Sequence, residues 1–135
     1  MEQPVRILLL THGGWGMSLV RSLEMILGKI ECVDEIVLEP SHTLQDYLGL
    51  VKEYVETVSP KSLIITDLIG GTPSNVAAMV GNQTGVRVLC GLNAPMLLEA
   101  VSELQMDGTI DIDTVYQVGT TAVKDVVAEV RKSMS

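Results

Sequence analysis

Val5-Arg6-Ile7-Leu8-Leu9-Leu10 is apolar almost throughout, and the run stops at Thr11-His12-Gly13-Gly14. Five of its six residues are branched and apolar. A surface strand would alternate; an uninterrupted run suits a strand buried on both faces, as at the centre of a parallel sheet. Gly13 and Gly14 let the backbone turn sharply, or approach a ligand where a Cβ would clash. His12 is therefore expected at the carboxyl end of a central strand, just before a helix. Open α/β sheets bind their ligands at that place. Taken alone, His12 reads equally well as a turn residue.

The rest of the chain alternates between the two periods. A helix is predicted from Trp15 to Gly28, with Leu19, Leu23, Ile26 and Leu27 at helical spacing and Gly28 as its cap. Val33 to Leu38 reads as a second strand, ended by Pro40. Thr43 is placed to cap a helix to about Val58, with Leu44, Tyr47, Leu48, Val51 and Val55 on one face. Ser62 to Thr66 reads as a third strand and Val86 to Cys90 as a fourth. Helices are predicted from Ser74 to about Asn82, with Pro73 in the first turn, and from Pro95 to Leu104. Strands alternating with helices imply an α/β fold with a doubly wound parallel sheet.

Beyond Asp113 the pattern has two solutions. Val115, Val118, Ala122, Val126 and Val130 fit one helix; a break at Gly119-Thr120-Thr121 would instead leave Val123 to Val127 as a short strand.

Residues 1–135 suffice for one domain with a real core, and no linker or repeat divides them. With no Phe, that core must be aliphatic, and the methionines are expected to fill it. A net charge of −8 offers no basic patch for nucleic acid but suits a partner protein with a basic docking face. Cys32 and Cys90 lack metal-type spacing and read as buried free thiols of a cytoplasmic protein. No signal peptide or membrane span is recognisable.

Three strand ends carry polar residues: Thr11-His12-Gly13-Gly14, Thr66-Asp67 with the loop to Asn75, and Gly91-Leu92-Asn93-Ala94-Pro95. In a parallel sheet they share one edge, and His12 meets Asp67 if strands one and three are neighbours. A carboxylate that accepts Nδ1–H fixes the tautomer and leaves Nε2 as a nucleophile. Gly70, Gly71, Thr72 and Ser74, at the start of the next helix, would supply an anion cradle. The closing Gly-Lys-Ser/Thr of a P-loop is absent. Trp15 flanks the site, Asn93 shapes the loop after strand four, and His42 reads as a solvent-exposed loop residue.

Four segments carry a resemblance: Thr11-His12-Gly13, Glu24-Met25-Ile26-Leu27-Gly28, Asp67-Leu68-Ile69-Gly70-Gly71-Thr72-Pro73-Ser74-Asn75, and Gly91-Leu92-Asn93-Ala94-Pro95-Met96-Leu97. In this order they resemble the IIA component of the mannose/fructose/sorbose class of sugar phosphotransferase system. The resemblance implies strand order 2-1-3-4 and a phosphohistidine relay. His12 would accept a phosphoryl group from the phosphocarrier protein HPr and pass it to a IIB component, which serves a IIC/IID membrane complex. Asp67 would orient His12, while Thr11, Gly13, Trp15 and Asn93 would shape the site or meet partners. The family often has a Glu where this chain has Met17. The resemblance further implies a homodimer that exchanges a C-terminal antiparallel strand. The chain looks like a free-standing IIA domain.

Transfer between two imidazoles has no polyphosphate leaving group to neutralise, so neither metal nor cofactor is expected. Three rivals stay open: a regulatory phosphohistidine protein that does not feed transport, a receiver-like domain phosphorylated on Asp67, and a nucleotide or flavin module. The second lacks an acidic cluster at strand one. The third has only Trp15 to stack on a ring. The identity of the sugar is not encoded here.

Overall fold

Ile7, Leu8, Leu9 and Leu10 are at most 1% exposed, the burial required of a strand covered on both faces. They belong to β1 (Ile7–His12). The computed structural model describes residues 2–135. After β1 come α1 (Trp15–Leu27), β2 (Val33–Leu38), α2 (Leu44–Val55), β3 (Leu63–Thr66), α3 (Thr72–Thr84), β4 (Arg87–Cys90), α4 (Ala94–Asp107), α5 (Ile112–Thr120) and α6 (Val126–Met134). The four strands form one sheet in the order β2-β1-β3-β4, with every neighbouring pair parallel.

The period-two geometry of β1 divides the core. Ile7 and Leu9 pack with Val20 and Leu23 of α1, Leu97 and Val101 of α4, and Val115 of α5. Leu8 and Leu10 pack with Tyr47, Leu48 and Val51 of α2 and with Val76 and Val80 of α3. Burying each such side chain contributes about 1.5–3 kcal/mol.

Handedness explains which helix lies where. Crossovers between parallel strands are right-handed. The step from β1 to β2 runs one way along the sheet, and the steps to β3 and β4 run the other. Hence α1 covers one face and α2 and α3 the opposite face. The chain leaves β1 and β3 in opposite directions, which opens a crevice outside their carboxyl ends. His12 closes β1 there, and Asp67 follows β3 at the same edge.

Local chemistry sets the element ends. Thr43 accepts from the Asp46 N–H and Asp46 from the Thr43 N–H, both at 3.0 Å, a complete capping box. Several helix ends differ from the sequence reading by a few residues: α2 stops at Val55, while α3 and α4 run to Thr84 and Asp107.

The C-terminal segment is neither expected form. Two helices, α5 and α6, flank the non-helical stretch 121–125, and no fifth strand joins the sheet among the described residues. Asp125 decides it locally: its carboxylate accepts the Ala128 N–H at 3.1 Å and starts α6. No residue of α6 is buried.

The expectation of buried thiols is also corrected. Cys90 is exposed because β4 is an edge strand, and Cys32 is only half-buried. Among the methionines, Met96 is in the core, whereas Met25, Met106 and Met134 are exposed.

Candidate phosphoryl-transfer site

β1 ends at His12 and the chain turns through Gly13 and Gly14, at φ of +72° and +77°. Two consecutive residues in the left-handed region require glycine. This turn presents the His12 ring, whose side chain is 44% exposed, at the mouth of the crevice.

β3 delivers Asp67 beside it. The Asp67 side chain is 3% exposed. Its Oδ2 accepts the His12 backbone N–H at 2.7 Å and faces His12 Nδ1 at 3.0 Å. The Trp15 indole N–H donates to the same oxygen at 3.4 Å, and the Leu68 N–H donates to Oδ1 at 2.9 Å. Burial by itself raises the Asp67 pKa, but the bonds from His12 and Trp15 outweigh it and hold the carboxyl below its ordinary value of 3.8. An ionised carboxylate only accepts, so Nδ1 carries the proton and Nε2 keeps its lone pair. Nε2 makes no hydrogen bond among the described residues.

The loop after β3 faces that nitrogen. A Cβ at Gly71 would stand 3.1 Å from His12 Cε1 and 3.4 Å from Nε2. Glycine there keeps the approach to the ring open. The expected cradle is narrower than its residue types suggest. The Gly70 N–H donates to the Ser74 hydroxyl at 2.9 Å, and that hydroxyl turns to the Gly71 carbonyl at 3.4 Å. Gly70 and the Ser74 side chain thus brace the loop. Of the expected cradle residues, the N–H groups of Gly71, Thr72 and Ser74 and the Thr72 hydroxyl have no acceptor among the described residues, at the positive end of α3.

Asn93 caps α4 and ties it to α5. It accepts the Met96 N–H at 3.0 Å as the cap of α4 and donates to the Gly119 carbonyl at 3.2 Å.

Glu35, in β2, is the residue that sequence reasoning missed. α1 has no side-chain cap and no acidic residue in its first turn. Glu35 supplies both from the neighbouring strand. It accepts the Gly16 N–H at 2.9 Å and the Met17 N–H at 3.1 Å, and the Thr11 hydroxyl donates to it. Its carboxylate thus ties the residue before His12 to the helix after it. A Cβ at Gly16 would lie 2.5 Å from Glu35 Oε2, which explains the glycine. No local pattern marks Glu35, because its targets lie on another element.

Residues 6–115 match the family described as the PTS system fructose IIA component. The chain belongs to this family. A sorbose-specific EIIA component of Lacticaseibacillus casei is 33% identical over 100 residues, 70% of each chain. The mannose-specific EIIAB component of Escherichia coli (strain K12) is 27% identical over 110 residues, which make up 79% of this chain but only 34% of that protein. The crystal structure of a phosphotransferase-system EIIA component from Streptococcus agalactiae superposes with a TM-score of 0.80 at 29% identity, covering 92% of this chain and 98% of that one. The parallel sheet in the order 2-1-3-4 is the fold of this EIIA neighbour too. Members of the family are phosphotransferase components, which gives the chain a broad transferase role in a sugar phosphotransferase system. No helix among the described residues is long and apolar enough to cross a membrane.

Proposed function

We propose that this chain is a single cytoplasmic IIA domain that carries a phosphoryl group on His12, taking it from phosphorylated HPr and handing it to a IIB component. The observation that carries this reading is the pairing of His12 Nδ1 with the ionised, buried Asp67, which leaves Nε2 free beside Gly71. The Nε2 lone pair forms the new P–N bond while the P–N bond to the donor imidazole breaks. The donor ring reacts as a phosphoimidazolium, protonated on its other nitrogen, and so leaves as neutral imidazole with the bonding electrons. The His12 ring becomes a phosphoimidazolium that keeps its Nδ1 proton, and Asp67 stabilises that positive charge. The unused N–H groups of Gly71, Thr72 and Ser74 stabilise charge on the transferring group, where positioning and electrostatics carry catalysis. Onward transfer reverses these events. IIC and IID would be served only through IIB.

Asp67 suits the positioning role better than the phosphoacceptor role of a receiver domain. Its side chain is almost fully buried and its oxygens already accept four donors.

We further propose a homodimer. The outer edge of β4 is unpaired, and α6 exposes Val126, Val127 and Val130. A nine-residue helix with no buried side chain is marginal by itself. Exchange of the segment after α5 between two subunits would cover both features.

The test is incubation with phosphoenolpyruvate, enzyme I and HPr, followed by mass spectrometry. One phosphate should bind the wild type and none His12→Gln. The bond should survive alkali and break in acid, as a phosphoramidate does. A modified His12→Gln protein, or an alkali-labile bond, would overturn the reading.

A further inference from the structure

His42 is not the solvent-exposed bystander its loop position suggests. It lies on the β2–α2 loop, yet it lines the same depression as His12. This depression of about 270 Å³ is bounded by His12, Leu38, Glu39, Pro40, His42 and Thr72. A water molecule occupies roughly 30 Å³, so the space accommodates a phosphoryl group on His12 Nε2.

The His42 imidazole is held in place and in one tautomer. Its Nδ1 accepts the Glu39 N–H at 2.9 Å, and its own backbone N–H returns to the Glu39 carbonyl at 2.9 Å. The ring lies 5.9 Å from that of Tyr47, tilted by 48°. Tyr47 is itself fully buried and anchored by its hydroxyl to the Ile36 carbonyl at 2.6 Å. Because Nδ1 accepts, Nε2 bears the proton. That Nε2–H makes no hydrogen bond among the described residues. His42, with this unpaired Nε2–H, and Thr72, at the start of α3, thus line one depression with His12. The charged side chain on its rim, Glu39, is exposed to solvent.

We propose that His42 is a phosphoryl-binding residue of this site, its Nε2–H donating to an oxygen of the phosphoryl group carried by His12. This rests on the phosphohistidine reading and adds to it a neutral donor supplied by the β2–α2 loop. Such a hydrogen bond to a charged acceptor shifts an equilibrium by about tenfold.

Two conservative variants separate donation from loop bracing. His42→Asn keeps an acceptor near the Nδ1 position and so preserves the bond to Glu39. His42→Gln carries an N–H out near the Nε2 position. The readout is the equilibrium ratio of phosphorylated chain to phosphorylated HPr. His42→Asn should shift it toward HPr by about tenfold, and His42→Gln should stay within about twofold of wild type. Equal behaviour of the two variants, or a loss confined to His42→Gln, would overturn the proposal.

A second measurement needs no variant. Phosphoramidate phosphorylates histidine without a protein donor, and the ¹⁵N resonance of His42 Nε2 should move when His12 is modified. An unmoved resonance in protein carrying phosphate on His12 would also overturn it. If wild type takes phosphate from neither donor, the phosphohistidine reading itself fails, an outcome distinct from both.

Discussion

Asp67 Oδ2 accepts the backbone N–H of His12 at 2.7 Å and faces the Nδ1 of the same residue at 3.0 Å. One oxygen thus fixes both the main chain at the end of β1 and the ring that leaves it. The imidazole is oriented from within the fold and needs no arriving partner to set its tautomer.

Asp67→Asn should therefore keep the fold and HPr binding but slow transfer by orders of magnitude. The amide lacks the charge that would stabilise a phosphoimidazolium, and its NH₂ group favours the wrong tautomer, a change costing about 10⁴-fold in a Ser-His-Asp triad. Rapid-quench transfer from phosphorylated HPr measures this. Wild-type rates would reduce Asp67 to a turn residue.

The same carboxylate makes stability depend on pH. Its folded pKa is depressed below the ordinary 3.8. Its contribution is then fully present above the unfolded pKa and is lost as pH falls through the folded value. Urea unfolding should show a gap between wild type and Asp67→Asn at about pH 5 that narrows below about pH 4. A gap that widens in acid would contradict the sign.

Glu35 and Gly16 form a coupled pair. Glu35→Ala removes the cap of α1 and should cost about 1–2 kcal/mol. Gly16→Ala drives a methyl against the Glu35 carboxylate and should cost about 1–3 kcal/mol. In the double variant part of that clash disappears, so the summed effects should exceed the measured one by about 0.5 kcal/mol or more. Strict additivity in denaturant unfolding would place the strain elsewhere, for instance at Leu9, whose Cδ1 is 3.0 Å from the same methyl position.

Truncation after Thr121 leaves α5 capped and removes α6. If the C-terminal segment holds two subunits together, the shortened chain should run as a monomer in size-exclusion chromatography with light scattering. A full dimer would locate the main contact elsewhere.

The division between local and distant causes runs through individual residues. The buried run of β1, the Thr43 cap and the glycine turn after His12 were readable because each depends on neighbours in sequence. The meeting of His12 with Asp67 was readable one step further, since both close parallel strands. The C-terminus was ambiguous because its valines fit a helix or a strand, and the start of α6 depends on one carboxylate, Asp125, reaching Ala128.

By itself the sequence determined the α/β alternation, the aliphatic core and a histidine at a strand end, because period, turn chemistry and burial propensity act over a few residues. Only the tertiary structure decided the roles around that histidine. Glu35 caps a helix 19 residues away in the chain because β2 lies against β1 in register. Strand order likewise sets the end of β2 next to the end of β1, and so His42, on the loop after β2, lines the same depression as His12. Such contacts depend on which elements become neighbours, and that is settled by the packing of whole strands and helices rather than by the residues that meet.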